Sequence, residues 1–138
     1  MQIRSRLTKT GMLGAAAVAA LAISTGPASA AAAVTASPGS GLADGQLVTV
    51  TGTGFPAGAQ VAVSQCREST TCTDTLAEVT VGADGSFTAP YTVHKQFTAT
   101  DWSTGTGTSV TVDCGTQQCR LVAYLEATGP VGTEISFR

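Results

Sequence analysis

Apolar and polar residues alternate in short runs along most of this chain. Val48-Thr49-Val50-Thr51, Val61-Ala62-Val63-Ser64, Val79-Thr80-Val81 and Val110-Thr111-Val112 each set valine on one side and a smaller or polar residue on the other. Phe87, Ala89, Tyr91 and Val93 share one parity of a longer run, and Thr88, Thr92 and His94 share the other. Leu121, Ala123 and Leu125 alternate with Val122 and Tyr124, so both faces of that run suit cover. Ile135 and Phe137 close the chain. A period of two in Val, Thr, Phe and Tyr is the signature of strands. Clusters of Gly, Pro and Asp at 41–45, 55–58, 83–86 and 128–130 separate the runs and read as turns. Asp84-Gly85, between two alternating runs, predicts a tight hairpin. Beyond residue 30 no stretch sustains a helical period. Seven or more short strands predict an all-β fold, a seven-stranded immunoglobulin-like Greek-key sandwich of two sheets.

The first 30 residues follow another pattern. Arg4, Arg6 and Lys9 precede an apolar run from Gly11 to Ile23, then Gly26-Pro27 and Ala28-Ser29-Ala30. A basic start, an apolar middle and a small-residue A-x-A site make a secretory signal peptide, cleaved after Ala30. The competing reading is a membrane anchor, but the run falls short of the roughly 20 residues that span a bilayer. Residues 31–138 then form one domain, secreted and free of the membrane once the signal is removed.

Removing Arg4, Arg6 and Lys9 leaves four basic residues, Arg67, Lys95, Arg120 and Arg138, against nine acids, a net charge of −5. Such a surface repels nucleic acid and carries no basic stripe. It suits a cationic or apolar small molecule better than a phosphate backbone.

The chain has four cysteines, Cys66, Cys72, Cys114 and Cys119. Outside the cell these read as disulfides, and four cysteines allow three connectivities. Local pairing, Cys66 with Cys72 and Cys114 with Cys119, is preferred because each pair brackets a turn. A metal site is the alternative. Zinc favours C-x2-C spacings, often with histidine, whereas these pairs enclose five and four residues and His94 is the one histidine.

Catalysis finds little support. His94 lies in a strand beside Lys95, and no nucleophile-elbow motif occurs. The acids are scattered singly, so no glycosidase-type pair can be nominated. Gly52-Thr53-Gly54 and Gly105-Thr106-Gly107 read as turn glycines, and neither opens a helix that could cradle phosphate. The chain reads as a non-enzyme.

A more specific signal lies in the order of short motifs. Ser40-Gly41-Leu42-Ala43-Asp44-Gly45 leads into Val48-Thr49-Val50, and Gln65-Cys66 ends a later strand. Asp84-Gly85-Ser86 and Val93-His94-Lys95-Gln96-Phe97 follow, then Thr111-Val112-Asp113-Cys114, Cys119 and Ile135-Ser136-Phe137. This order resembles the neocarzinostatin family of secreted actinobacterial apoproteins, over nearly all of residues 31–138. The resemblance implies a cleft at one end of the sandwich that holds and protects a non-covalent, apolar enediyne-type chromophore, with no other cofactor required. Released chromophore cleaves DNA, so the family is described as antibiotic, antimicrobial and DNA-binding. Contact with DNA is then indirect, through the chromophore.

Carried over by position, the resemblance places Cys66–Cys72 along the cleft, with Gln65 just before it. Leu76, Phe97 and Trp102 fall where members carry wall residues, and Val122 and Tyr124 fall on the cleft floor. Trp102 could stack on a ligand; the plainer reading is a loop aromatic that caps the sandwich. Two departures stand out. Arg67 and Glu68 occupy a short loop where a stacking wall is expected, and Val122 and Tyr124 replace small floor residues. Two functions follow: a chromophore carrier with an open cleft, or a secreted structural or interaction module whose cleft is filled. Nothing in the chain signals oligomerisation, so a monomer is expected.

Overall fold

The structure, a computed structural model, describes residues 31–138. The signal peptide read over residues 1–30 lies outside the described residues. Ten strands follow in order: β1 (Ala33–Ser37), β2 (Leu47–Thr53), β3 (Gln60–Glu68), β4 (Thr71–Cys72), β5 (Ala77–Thr80), β6 (Phe87–Thr92), β7 (Gln96–Asp101), β8 (Thr108–Asp113), β9 (Cys119–Leu125) and β10 (Gly129–Ile135). No helix occurs among the described residues. A three-stranded sheet runs β1-β2-β6, and a larger one runs β10-β9-β3-β4-β7-β8 with β5 also paired to β3. The ten strands pair antiparallel throughout.

Alternation delivers the core. On β2, Val48 and Val50 point inward, and on β6, Phe87, Ala89 and Tyr91 do the same. They meet Val61 and Val63 of β3, Leu121 and Ala123 of β9 and Ala99 of β7 across the sandwich. Burial of such side chains contributes roughly 1.5–3 kcal/mol each relative to exposure. Phe55 and Phe87 pack edge to face with centroids 5.3 Å apart.

A polar node crosses this core. The Gln65 side chain is buried on the inner face of β3. Its Nε2 donates to the His94 carbonyl at 2.7 Å, and its Oε1 accepts from the His94 N–H at 2.9 Å. The amide thus imitates one rung of a β-ladder between the two layers. Next to it, the Tyr91 hydroxyl accepts from the Gln65 N–H at 3.1 Å and donates to the Thr75 carbonyl at 2.8 Å. Burial raises the phenol pKa above its ordinary value, so Tyr91 keeps the proton it donates.

The strands number ten, in keeping with the expected seven or more. β1, the two-residue β4 and β7 add to that reading, since AVTAS, TC and QFTATD offer too few apolar alternations to stand out. Asp84-Gly85 does form a tight turn, with Gly85 at φ 81°. It joins β5 of one sheet to β6 of the other, so it makes a crossover and not a hairpin. Gly52 lies inside β2, where a Cβ would sit 2.1 Å from Phe87 Cε1. It is a strand glycine, kept bare so that the Phe87 ring can lie across the backbone.

Candidate ligand groove

The site is built on the outer face of the larger sheet. In β3 the inward parity belongs to Val61, Val63 and Gln65, so Ala62, Ser64 and Cys66 face out. In β9 Leu121 and Ala123 face in, so Arg120, Val122 and Tyr124 face out. Register then aligns rows across the face. One row runs Glu134–Arg120–Cys66–Cys72–Thr100–Ser109. The next holds Gly132–Val122–Ser64, and the third Pro130–Tyr124–Ala62–Glu78.

The middle of this face is a covered floor. Val122 is 4% exposed, and Ser64 and Cys66 are also buried. The Ser64 hydroxyl lies 3.3 Å from Cys66 Sγ. Cys66 and Cys72 are bonded, with Cα atoms 4.0 Å apart. The second bridge, Cys114–Cys119, ties the end of β8 to the start of β9. Both local pairings match the expectation. Each bridge closes a short loop, which contributes roughly 2 kcal/mol in the loop-entropy account.

The rims are apolar and exposed. Trp102 is 59% exposed, Leu76 54% and Tyr124 51%. Trp102 follows β7, where its N–H donates to the Thr70 carbonyl at 3.1 Å and its carbonyl accepts from Gly105 N–H. Gly107 lacks a Cβ where one would stand 2.9 Å from Trp102 Cη2 and 3.0 Å from Thr100 Cγ2. The indole therefore rests edge-on against the β7–β8 hairpin, beside the outward-facing Thr100. Leu76 just precedes β5 and by alternation shares the side of Glu78.

The structure thus gathers Trp102, Leu76, Val122, Tyr124 and Cys66–Cys72 along one face. Gln65 and Phe97 lie elsewhere. Gln65 has the inward parity of β3, and Phe97 shares the inner side of β7 with Ala99, packed on the core opposite Val112. Val122 closes the floor, whereas Tyr124 stands out from it.

Several turns of the sandwich are tightly tied. Arg67 Nη2 lies 3.6 Å from Asp101 Oδ2 and 3.4 Å from Thr71 Oγ1, so it bridges β3, β4 and β7. Asp101 accepts from Ser103 N–H at 2.8 Å, Asp84 from Ser86 N–H at 3.1 Å and Asp113 from Gly115 N–H at 2.8 Å. Each aspartate closes a turn two residues on. These bonds hold all three carboxyls below their ordinary pKa. The leading causes are the Ser86 side chain for Asp84, the Ser103 backbone for Asp101 and the Gly115 backbone for Asp113.

A concavity of about 530 Å³ lies at the end of the β7–β8 hairpin away from Trp102, lined by Asp44, Lys95, Gln96 and Asp113. Its polar groups are engaged with one another. Lys95 N–H donates to Asp44, Gln96 Nε2 to Asp113, and Lys95 Nζ to the Arg138 carbonyl. No group of three or more His, Cys, Asp or Glu suited to a metal occurs among the described residues.

Fold and face together define the class: a disulfide-stapled, immunoglobulin-like β-sandwich with exposed apolar side chains on the outer face of its larger sheet. The chain belongs to the neocarzinostatin family, whose model matches residues 34–137. It is 36% identical over 92 residues to macromomycin of Streptomyces macromomyceticus. That alignment spans 60% of this chain and 57% of the relative's length. The solved structure of macromomycin superposes with a TM-score of 0.69 at 33% identity, over 78% of this chain and all of the other. The solution conformation of apokedarcidin gives 0.59 at 30% identity, over 79% of this chain and all of the other.

Proposed function

We propose that this protein is a secreted carrier apoprotein that holds an apolar, enediyne-like chromophore in the groove of its larger sheet. One observation carries the reading. Among the described residues, three of the four large exposed hydrophobic side chains, Leu76, Trp102 and Tyr124, lie around a buried floor on one face of a family member. Large apolar side chains left in water beside a disulfide floor favour a ligand that covers them. Trp102 and Tyr124 supply stacking surfaces, Leu76 a lateral contact, and Cys66–Cys72 and Val122 the base. The groove shields a labile compound by keeping water and thiols from it; the protein itself performs no catalysis. Antibacterial action then belongs to the released chromophore, which damages DNA, and the acidic protein leaves DNA alone. The carrier acts as a monomer.

Burial of Val122 favours a second reading, a secreted module of the same fold that carries nothing. Titration of the oxidised protein with methyl 2-naphthoate separates the two, since Trp102 is the one tryptophan. A carrier shows saturable quenching at micromolar ligand, lost in Gly107→Leu, whose side chain displaces the indole. A module shows no saturable change.

A further inference from the structure

The two disulfides differ in what solvent can reach. Cys66, Cys114 and Cys119 are buried, at 0%, 8% and 1% exposure. Cys72, on the two-residue strand β4, is the one cysteine that is partly exposed. A small thiol therefore meets one side of the Cys66–Cys72 bridge and neither side of Cys114–Cys119. Register sets Cys66 directly opposite Cys72, and the other pairing of these two strands, Glu68 with Thr71, comes after a register shift. The Thr73 N–H adds a bond to the Gln65 carbonyl at 3.0 Å. The buried sulfur also has a polar neighbour. Ser64 Oγ, itself buried, lies 3.3 Å from Cys66 Sγ.

We infer that Cys66–Cys72 is a site of selective thiol exchange, attacked at Cys72 by a small thiol, and that its opening frees the Trp102 end of the β7–β8 hairpin. The inference stands on the tie between strands and holds with or without a ligand on that face. A thiolate attacks Cys72 Sγ. A bond forms between those two sulfurs, the Cys66–Cys72 bond breaks, and its electron pair leaves on Cys66 Sγ. Exchange is faster when the departing thiolate is better stabilised. The Ser64 hydroxyl donates to that thiolate, and such a charge-assisted bond is about twice as strong as a neutral one. The second arm of a dithiol then attacks the reductant's own sulfur in the mixed disulfide. Cys72 leaves, the reductant closes to its disulfide, and its two protons end on Cys66 and Cys72. Two electrons have passed from the dithiol to the protein bridge.

β4 is then held to β3 by backbone pairing across an irregular register. It is also the strand that pairs with β7, through Thr100 and Asp101. The other end of the hairpin stays anchored, because Cys114–Cys119 joins β8 to β9 and both of its cysteines are buried. Ala99 and Val112 remain in the core. Reduction therefore loosens the Trp102 end about a fixed base.

The test treats the full oxidised protein, residues 31–138, with dithiothreitol and traps free thiols with iodoacetamide at intervals. Peptide mapping reads the four cysteines separately. Cys66 and Cys72 are expected to be alkylated together, at least about tenfold faster than Cys114 and Cys119, since access governs exchange. With the monothiol 2-mercaptoethanol, the trapped mixed disulfide should sit on Cys72. Hydrogen exchange in the singly reduced protein should quicken at Thr73 and Trp102, whose N–H groups bond to Gln65 and Thr70, and stay unchanged at Val122 and Ala123. Ser64→Ala should slow the opening of Cys66–Cys72 by roughly fivefold through the lost bond to the leaving thiolate. Cys114–Cys119 in the same molecule should open at the parent's rate, which separates this effect from a general change in stability. Equal rates for the two bridges, or earlier loss of Cys114–Cys119, would overturn the selective site. A mixed disulfide on Cys66 would overturn the point of attack, and an unchanged rate in Ser64→Ala the role of Ser64. Unchanged exchange at Trp102 in the singly reduced protein would overturn the release of the hairpin.

Discussion

Gln65→Leu is the substitution that best tests the polar node. Leucine nearly matches glutamine in size, so the change removes hydrogen bonds without opening a large cavity. Two bonds to His94, at 2.7 and 2.9 Å, disappear, with a longer contact from Nε2 to Cys114 Sγ at 3.4 Å. The His94 N–H and carbonyl would then face an apolar side chain. A buried group left without its partner costs about 1–3 kcal/mol. Partial access of water near the surface side of His94 discounts the pair, so the expected loss is about 2–4 kcal/mol. For a domain of this size each kcal/mol moves the thermal midpoint by about 4–8 °C, so a fall of at least roughly 10 °C is expected in a calorimetric melt with both disulfides intact. The companion change Tyr91→Phe removes the hydroxyl that accepts from Gln65 N–H and donates to Thr75. The double variant should lose less than the sum, because both changes loosen the same bridge between sheets. A Gln65→Leu melt within about 3 °C of the parent would refute the node as a source of stability.

Two further outcomes follow from local geometry. Gly52→Ala would push a methyl into the Phe87 ring, with a Cβ only 2.1 Å from Cε1; overpacking of this kind costs about 1–3 kcal/mol, read as a lower urea midpoint with an unchanged slope. Asp84, Asp101 and Asp113 have folded pKa values below the ordinary carboxylate value; their stabilisation is present above about pH 4 and is lost as pH falls through the lowered values. The triple Asp→Asn variant keeps the turn acceptors but should show a shallower fall in thermal midpoint between about pH 4 and 2, and an unchanged slope there would contradict the assignment.

Strand parity explains which parts of the site could be read from the sequence. Val61 and Val63 point inward, so Gln65 must do so as well, and its place beside Cys66 in the chain says nothing about sharing a face with it. The same parity sends Phe97 inward with Ala99. Conversely, the inward parity of Leu121 and Ala123 sets Val122, Tyr124 and also Arg120 on the groove side. The turns were legible because glycine and aspartate serve them directly. The destination of the chain after Asp84-Gly85 was not, because a tight turn can lead equally to a neighbouring strand or to the other sheet. Short β4 was invisible for a similar reason: two residues cannot show a period.

That short strand has a consequence for the groove. The β7–β8 hairpin, which carries Trp102, pairs with the body of the larger sheet only through β4, by Thr71 opposite Asp101 and Cys72 opposite Thr100. Two residue pairs are a thin hinge for the hairpin that carries Trp102. The molecule reinforces it with cross-links drawn from separate elements. Cys66–Cys72 bonds β4 to β3, and Arg67 reaches Asp101 and Thr71. The Thr70 carbonyl holds Trp102 N–H, and Gln65 Nε2 contacts the Cys114 end of the hairpin. The charged Arg67 loop, which at first sight spoils an aromatic wall, therefore serves to fix the wall that Trp102 forms. Its ion pair is partly shielded from solvent, and it acts together with a covalent bond on the same two residue pairs. Position and stiffness of the Trp102 wall are thus set by polar and covalent ties, while the core beneath is set by apolar alternation. Residues on the outer face of the larger sheet, where the proposed groove lies, can therefore change without disturbing the packing that holds the two sheets together.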